Sequence, residues 1–227
     1  MAKVIKKRKR IKVFAVLIAL LLLSAVIYIG YILLDMPIRN IVIKGTTILK
    51  DQDIIEKVGI EDYPSFLRTS TNKIKKTLEK DPYVEKVTVK KIIFNKLVIE
   101  IKENKVLYVD SKTNTQVLSD GVSIEKDDNS LGCAILINEI DKSVKKQFIK
   151  KMNKIDKNIL RKVSEIKYEP TTLDTGRFLF TMSDGNYVYL TLTKFENINY
   201  YEDVLPQLEG KKGILYLDSG NHFKIME

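Results

Sequence analysis

The stretch DPYVEKVTVKKIIFNKLVIEIKE, residues 81–103, decides the fold of the segment around it. Val87 and Val89 alternate with Lys86, Thr88 and Lys90, and Leu97, Ile99 and Ile101 alternate with Lys96, Glu100 and Lys102. A period of two belongs to strands with one buried and one wet face. The stretch therefore reads as two strands joined by a turn near Phe94-Asn95. Asp81-Pro82 at its head ends a preceding helix.

Upstream, Ile41 and Ile43 alternate with Asn40, Val42 and Lys44 in a short strand that stops at Gly45. Ile54, Ile55 and Val58 then fall on one helical face, with Gly59 placed as the C-terminal cap. After Tyr63-Pro64, Ser70 or Thr71 caps a second helix in which Ile74 and Leu78 stack at i, i+4. The order is β-α-α-β-β: two amphipathic helices against one half-apolar sheet, an α+β module over 36–104.

Before this module, Val13 to Leu34 carries no charge, and Asp35 closes the run. Twenty-two helical residues span roughly 33 Å, enough for a hydrocarbon core of about 30 Å. The run is too long for a signal peptide's apolar region, and no small-x-small cleavage pair follows it, so it reads as an uncleaved anchor. Lys3, Lys6, Lys7, Arg8, Lys9, Arg10 and Lys12 precede it. Such clusters stay cytoplasmic, which places the 1–12 tail inside and everything after Asp35 outside. Tyr28 and Tyr31 mark the far interface.

The anchor changes what the net charge of +10 means. Of 39 basic side chains seven lie in residues 1–12, leaving 32 against 29 acidic ones in the exported part. That near balance removes nucleic acid as a partner. One cysteine, Cys133, excludes an intrachain disulfide and reads as a small buried residue between Gly132 and Ala134. The one histidine, His222, sits in Ser-Gly-Asn-His-Phe without a nucleophile elbow, and neither a phosphate loop nor a paired metal-ligand motif occurs. The sequence therefore points away from an enzyme and implies no cofactor or small-molecule substrate.

Residues 105–227 read as a second, β-rich α+β unit, with the boundary set at Asn104–Lys105. Val106–Val109 and Val117–Leu118 are short strands, and Asp120-Gly121 turns the latter into Val122–Ile124. Asp127-Asp128-Asn129-Ser130 reads as a solvated loop. Val144, Phe148, Met152, Ile155 and Ile159 draw one stripe along a single helix, with Lys145, Lys146, Lys150, Lys151, Lys154 and Lys157 on its solvated faces. The clearest hairpin follows: Phe178, Phe180 and Met182 run inward, Asp184-Gly185 turns, and Val188, Leu190 and Leu192 run back. Next come a helix with Ile198, Tyr201, Leu205 and Leu208, distorted at Pro206, and two short strands, 214–217 and 222–226, around Asp218-Ser219-Gly220-Asn221.

A strand–helix–helix–hairpin module directly after an anchor resembles a POTRA domain. The similarity includes the Ile-Lys-Gly end of the first strand, Asp81-Pro82-Tyr83-Val84, and Asn95 before Leu97-Val98-Ile99; Glu103 stands where that family carries an acidic residue. Together with Ser164-Glu165-Ile166, Asp184-Gly185, Ile198-Asn199-Tyr200-Tyr201 and Gly213–Gly220, the chain resembles the FtsQ/DivIB family of bacterial cell-division proteins. Asn197 replaces a Lys common in that family, so no contact of that Lys transfers.

The resemblance implies a scaffold of the divisome, at the division septum. It also implies binding of FtsB/DivIC-type and FtsL-type bitopic partners that act on septal peptidoglycan synthases. The candidate docking edge is Tyr216, Leu217, Asp218, Ser219 and Gly220 with Phe223, supported by Tyr200 and Tyr201, since a free edge accepts a partner strand and aromatic residues anchor interfaces. Tyr201 and Leu217 fit a core role equally well. The competing readings are a POTRA-bearing export or transport factor, which lacks a following barrel pattern, and an exported wall hydrolase, which lacks a nucleophile and an acid pair.

Overall fold

The computed structural model describes residues 13–226; the basic tail at 1–12 lies outside the described residues. The first helix, α1 (Val13–Leu34), is apolar all round, and none of Val13–Ile32 is buried against the rest of the chain. A helix of this length with no polar face is stable in lipid, so α1 is the membrane anchor. The chain after it divides into two compact units. The first takes in the chain up to Gly45, Lys50–Leu78 and Val87–Ile101; the second comprises Thr46–Leu49, Glu79–Lys86 and Lys102–Glu227.

The first unit holds β1 (Asn40–Lys44), α2 (Asp51–Val58) and α3 (Thr71–Leu78), and residues 87–101 of the hairpin β2 (Val84–Ile92) and β3 (Lys96–Glu103) that follows them. The strands are ordered β1-β3-β2, with β1 parallel to β3 in the register Ile41↔Leu97 and Ile43↔Ile99. Gly59 ends α2 in the left-handed conformation, φ 67°. Ser70 Oγ accepts the Lys73 N–H at 3.3 Å, so Ser70 caps α3. Ile54, Ile74, Leu78, Leu97 and Ile99 are buried, as the alternation and the helical spacing require. Gly45 is needed for two reasons: its φ is 85°, and a Cβ there would stand 2.1 Å from the Ile101 carbonyl oxygen.

The second unit opens with β4 (Val106–Asp110), β5 (Thr115–Leu118), β6 (Ser123–Glu125) and β7 (Ile135–Leu136), followed by α4 (Lys142–Met152) and α5 (Lys157–Leu160). Then come β8 (Val163–Tyr168), β9 (Arg177–Met182), β10 (Tyr187–Thr191), α6 (Tyr201–Val204), β11 (Gly213–Tyr216) and β12 (His222–Ile225). One mixed nine-stranded sheet results, ordered β12-β11-β10-β9-β8-β7-β4-β5-β6. Phe178, Phe180, Met182, Val188 and Leu190 of the β9–β10 hairpin are buried at 1% exposure or less. They meet the helical residues Phe148, Met152, Phe195 and Ile198 in one core.

Three local expectations are revised. The stripe from Val144 to Ile159 is buried throughout, but it belongs to two helices, because the chain breaks at 153–156. Hydrophobic spacing persists through the break since Ile155 still points into the core. The helix expected around Pro206 is a 3-10 turn (Phe195–Tyr200), the one-turn α6, and a second 3-10 turn (Leu205–Leu208) with the proline near its start. Finally, the loop at 127–130 is not merely solvated. Asp127 accepts from the Tyr83 hydroxyl at 2.6 Å and from Gln116 Nε2 at 3.0 Å, and Ser130 is buried. Cys133 is half-buried beside Tyr83, Val106 and Leu118.

Around residue 104 the second unit is tied by polar side chains. The buried Asn104 amide donates to the Pro82 carbonyl at 2.8 Å and to Asp120 at 3.1 Å. Glu103 accepts the N–H groups of Thr47 (2.8 Å), Ile48 (3.0 Å) and Leu49 (2.8 Å) and the Thr47 hydroxyl (2.8 Å). Burial alone pushes the Glu103 carboxyl up, but these donors together outweigh it and hold the pKa below the ordinary 4.5. A depressed folded pKa adds stability that is present above the unfolded value and is lost as pH falls through the folded one. Glu103→Gln is thus expected to cost about 1–2 kcal/mol at neutral pH. It should also flatten the fall in melting temperature below pH ~4.5, a profile that thermal unfolding across pH reads directly.

Candidate functional site

The β11–β12 hairpin and the helical segment 195–208 border a groove of about 620 Å³. Gly220 (φ 125°) and Asn221 (φ 55°) reverse the chain, and β12 pairs back on β11 with Leu215 opposite Phe223 and Gly213 opposite Ile225. On its other side β11 runs parallel to β10. The free edge therefore lies one strand beyond the expected Tyr216–Gly220. Those residues end a doubly paired strand and enter its turn, with the Leu217 N–H donating to the Tyr189 carbonyl at 2.9 Å.

The direction of the edge groups follows from the register. The Met226 N–H donates to the Lys212 carbonyl at 3.0 Å. In an antiparallel ladder bonded pairs alternate with non-bonded ones, so Lys224 and His222 also bond inward. Phe223 and Ile225 are left with their N–H and C=O groups facing away from the sheet. Their side chains line the groove together with Leu215, Leu217, Val204 and Tyr200, while Asn197, Gln207, Lys211 and Asn221 supply polar lining. Tyr200 is 65% exposed and Ile225 51% exposed. Phe223 is partly buried, its ring lying over Gly213, where a Cβ would stand 2.7 Å from the ring's Cζ.

The opposite face of the hairpin carries a ring ladder. Arg177 stacks 3.6 Å over Tyr189, Tyr189 stacks on Tyr216 (centroids 5.3 Å apart), and Tyr216 stacks on His222 (4.6 Å). Asp218 locks the ladder's start by accepting from Arg177 Nε at 2.8 Å, and Ser219 donates to Asp218 at 3.1 Å. Tyr216, Asp218 and Ser219 thus brace the hairpin from behind, and Gly220 makes its turn.

Tyr201 and Leu217, open between core and contact in the sequence, are both buried. The Tyr201 hydroxyl donates to Asp184 at 2.8 Å and accepts from Asn186 Nδ2 at 2.9 Å. Asn186 Oδ1 in turn accepts the Gly213 N–H at 3.0 Å. Burial drives the Tyr201 phenol well above its ordinary 10, so it remains a neutral donor. This chain of bonds fastens α6 and β11 to the β9–β10 turn and so fixes the groove's walls. Of the eight candidates, Tyr200, Leu217 and Phe223 line the groove, Tyr200 the most exposed and Leu217 buried.

The sequence reading missed Ile225 and Asn186. Ile225 was legible as the i+2 partner of Phe223 once the Ser219-Gly220-Asn221 turn is taken as a hairpin. Asn186 carried no such signal, because its partners lie 15 and 27 residues away. Among the described residues no group of three or more His, Cys, Asp or Glu converges as a metal site.

A family model described as POTRA domain, FtsQ-type, matches residues 36–104. Over 196 residues the chain is 30% identical to the cell division protein DivIB of Bacillus cytotoxicus, covering 84% of this chain and 77% of that one. It is 24% identical over 227 residues to DivIB of Listeria monocytogenes, covering 96% and 84%. Among solved structures, the major extracytoplasmic domain of DivIB from Geobacillus stearothermophilus aligns with 48% of this chain and 96% of that one, at 19% identity and a TM-score of 0.40. With identity of 30% sustained over more than three quarters of a relative's length, the chain belongs to the DivIB family of cell-division proteins.

Proposed function

We propose that this chain is a non-enzymatic scaffold of the divisome that docks bitopic division proteins of the FtsB/DivIC and FtsL types along β12, outside the cytoplasm. The observation that supports it most is the β12 edge, unpaired among the described residues, with the outward N–H and C=O groups of Phe223 and Ile225 beside an apolar groove. An incoming strand gains main-chain hydrogen bonds at this edge, and its side chains find Tyr200, Leu217 and Val204. The seven cations of the 1–12 tail hold the N-terminus in the cytoplasm. In this reading 36–104 is a POTRA-type docking module and 105–227 carries the partner strand. Docking there positions the partners that control septal peptidoglycan synthesis.

A fluorescent fusion at the N-terminus is expected to gather at midcell, and depletion to give filaments or incomplete septa. Uniform membrane fluorescence with normal division after depletion would overturn the scaffold reading.

A further inference from the structure

The first unit carries an apolar tip that nothing in its core uses. Ile93 is 77% and Phe94 89% exposed at the β2–β3 turn, and Ile92, Tyr63 and Leu67 are also exposed. Phe94 holds φ 67° and Asn95 φ 56°. The left-handed region suits Gly or Asn, and a bulky aromatic residue there is strained. An exposed Phe that adds strain and buries nothing points to a use outside the fold.

The tip's place says what that use is. Asn95 Nδ2 donates to the Pro37 carbonyl at 3.2 Å, and the Asn95 carbonyl accepts the Arg39 N–H at 2.9 Å. On the other side the Phe66 N–H donates to the Met36 carbonyl and the Ile38 N–H to the Pro64 carbonyl, both at 3.0 Å. Asp35 accepts from Ser65 and pairs with Arg68 at 2.9 Å, and Arg68 also reaches the Tyr31 hydroxyl at 3.3 Å. Residues 35–39 are therefore clamped between the 63–68 loop and the hairpin, with no free linker. From Leu34 to Pro37 the chain reaches at most about 11 Å. An apolar group so close to the helix exit falls within the headgroup and upper acyl zone, where interfacial elements bury their side chains by about 5–10 Å.

Basic residues flank the tip along the chain. Lys91 donates to the Leu67 carbonyl at 3.1 Å and lies 5.1 Å from the Phe66 ring centroid, joining hairpin to loop. Arg39, Arg68, Lys90 and Lys96 stand in the same segments. Apolar residues with Lys and Arg in the adjoining segments match an anionic lipid surface.

We infer that the β2–β3 tip, Ile92-Ile93-Phe94 with Leu67 and Tyr63, is a second membrane contact that inserts into the anionic phospholipid leaflet at which α1 ends. It holds the first unit at a fixed orientation against the bilayer instead of leaving it to swing on its anchor.

The chain has no tryptophan, so Phe94→Trp introduces a single fluorescent reporter at an exposed position. The full-length variant is placed in nanodiscs of phosphatidylglycerol and phosphatidylcholine, with and without bromine on the acyl chains. Ile93→Trp serves as a second reporter. Leu173→Trp, at a side chain 98% exposed in the second unit, is the control. The expected result at both tip positions is emission shifted blue by roughly 10 nm from the control and quenched about twofold by brominated lipid. Solvent-like emission that bromine leaves unchanged at both tip positions, in protein with an unaltered melting transition, would overturn the inference.

Discussion

Replacing Ile225 with proline is expected to weaken capture of a partner strand about 30-fold or more while leaving the melting transition in place. The Ile225 N–H points away from β11, because the 212–226 pair bonds inward and the ladder alternates. Proline at this position removes no bond of the native sheet. It takes away one donor that an added strand needs, and its ring blocks approach along the edge. The preceding residue, Lys224, is already extended, as a residue before proline must be. Phe223→Asp attacks the same contact from the groove side by placing a carboxylate where an apolar side chain should seat. Each change removes an anchor of hot-spot size, about 2 kcal/mol or more, or roughly a 30-fold rise in Kd. Lys224→Ala alters neither the outward backbone nor the groove wall and should change binding little. If titration with the FtsB/DivIC-type partner shows unchanged affinity for a folded Ile225→Pro protein, docking along β12 is wrong.

The largest effect on stability is expected from Phe148→Ala, a loss of about 3–5 kcal/mol. Phe148 is fully buried, stacked on Phe178 at 4.4 Å with 16° between planes, edge-on to Phe195 at 5.7 Å and tilted on Tyr108 at 5.5 Å. Its removal leaves a cavity at the junction of α4, β9 and the 195–200 turn, which rigid neighbours cannot fill. Domains are stable by about 5–15 kcal/mol in total, so this one truncation takes a large share. The groove should loosen as well, since Phe195 helps hold the segment that forms its wall. Urea denaturation measures the loss; a change under about 1 kcal/mol would show that the ring cluster is not the keystone inferred from its packing.

What the sequence disclosed depended on the range of the interaction. Local signals read correctly: the alternation from Val87 to Ile101, the Gly59 stop, the Asp184-Gly185 turn and the Val144–Ile159 stripe are each set by neighbours a few residues apart. The break at 153–156 stayed hidden because Ile155 keeps the hydrophobic spacing across it. Strand order was not legible, because the parallel pairing of β10 with β11 and of β4 with β7 joins segments that share no local pattern. For the same reason the free edge was expected at Tyr216–Gly220, whereas the outermost strand of the sheet is β12. Tyr201 illustrates the limit for single residues. Its helical position fits contact and core alike, and only the Asp184–Asn186 bonds made through tertiary folding decide for the core.

Strand addition at β12 is tested most directly by amide hydrogen exchange of the full-length protein with and without the proposed FtsB/DivIC-type partner. The Phe223 and Ile225 amides, open in the free chain, are expected to become strongly protected on binding, while the already bonded Lys224 and Met226 amides change much less. Partner binding that leaves the Phe223 and Ile225 amides exchanging at their free rates would contradict it.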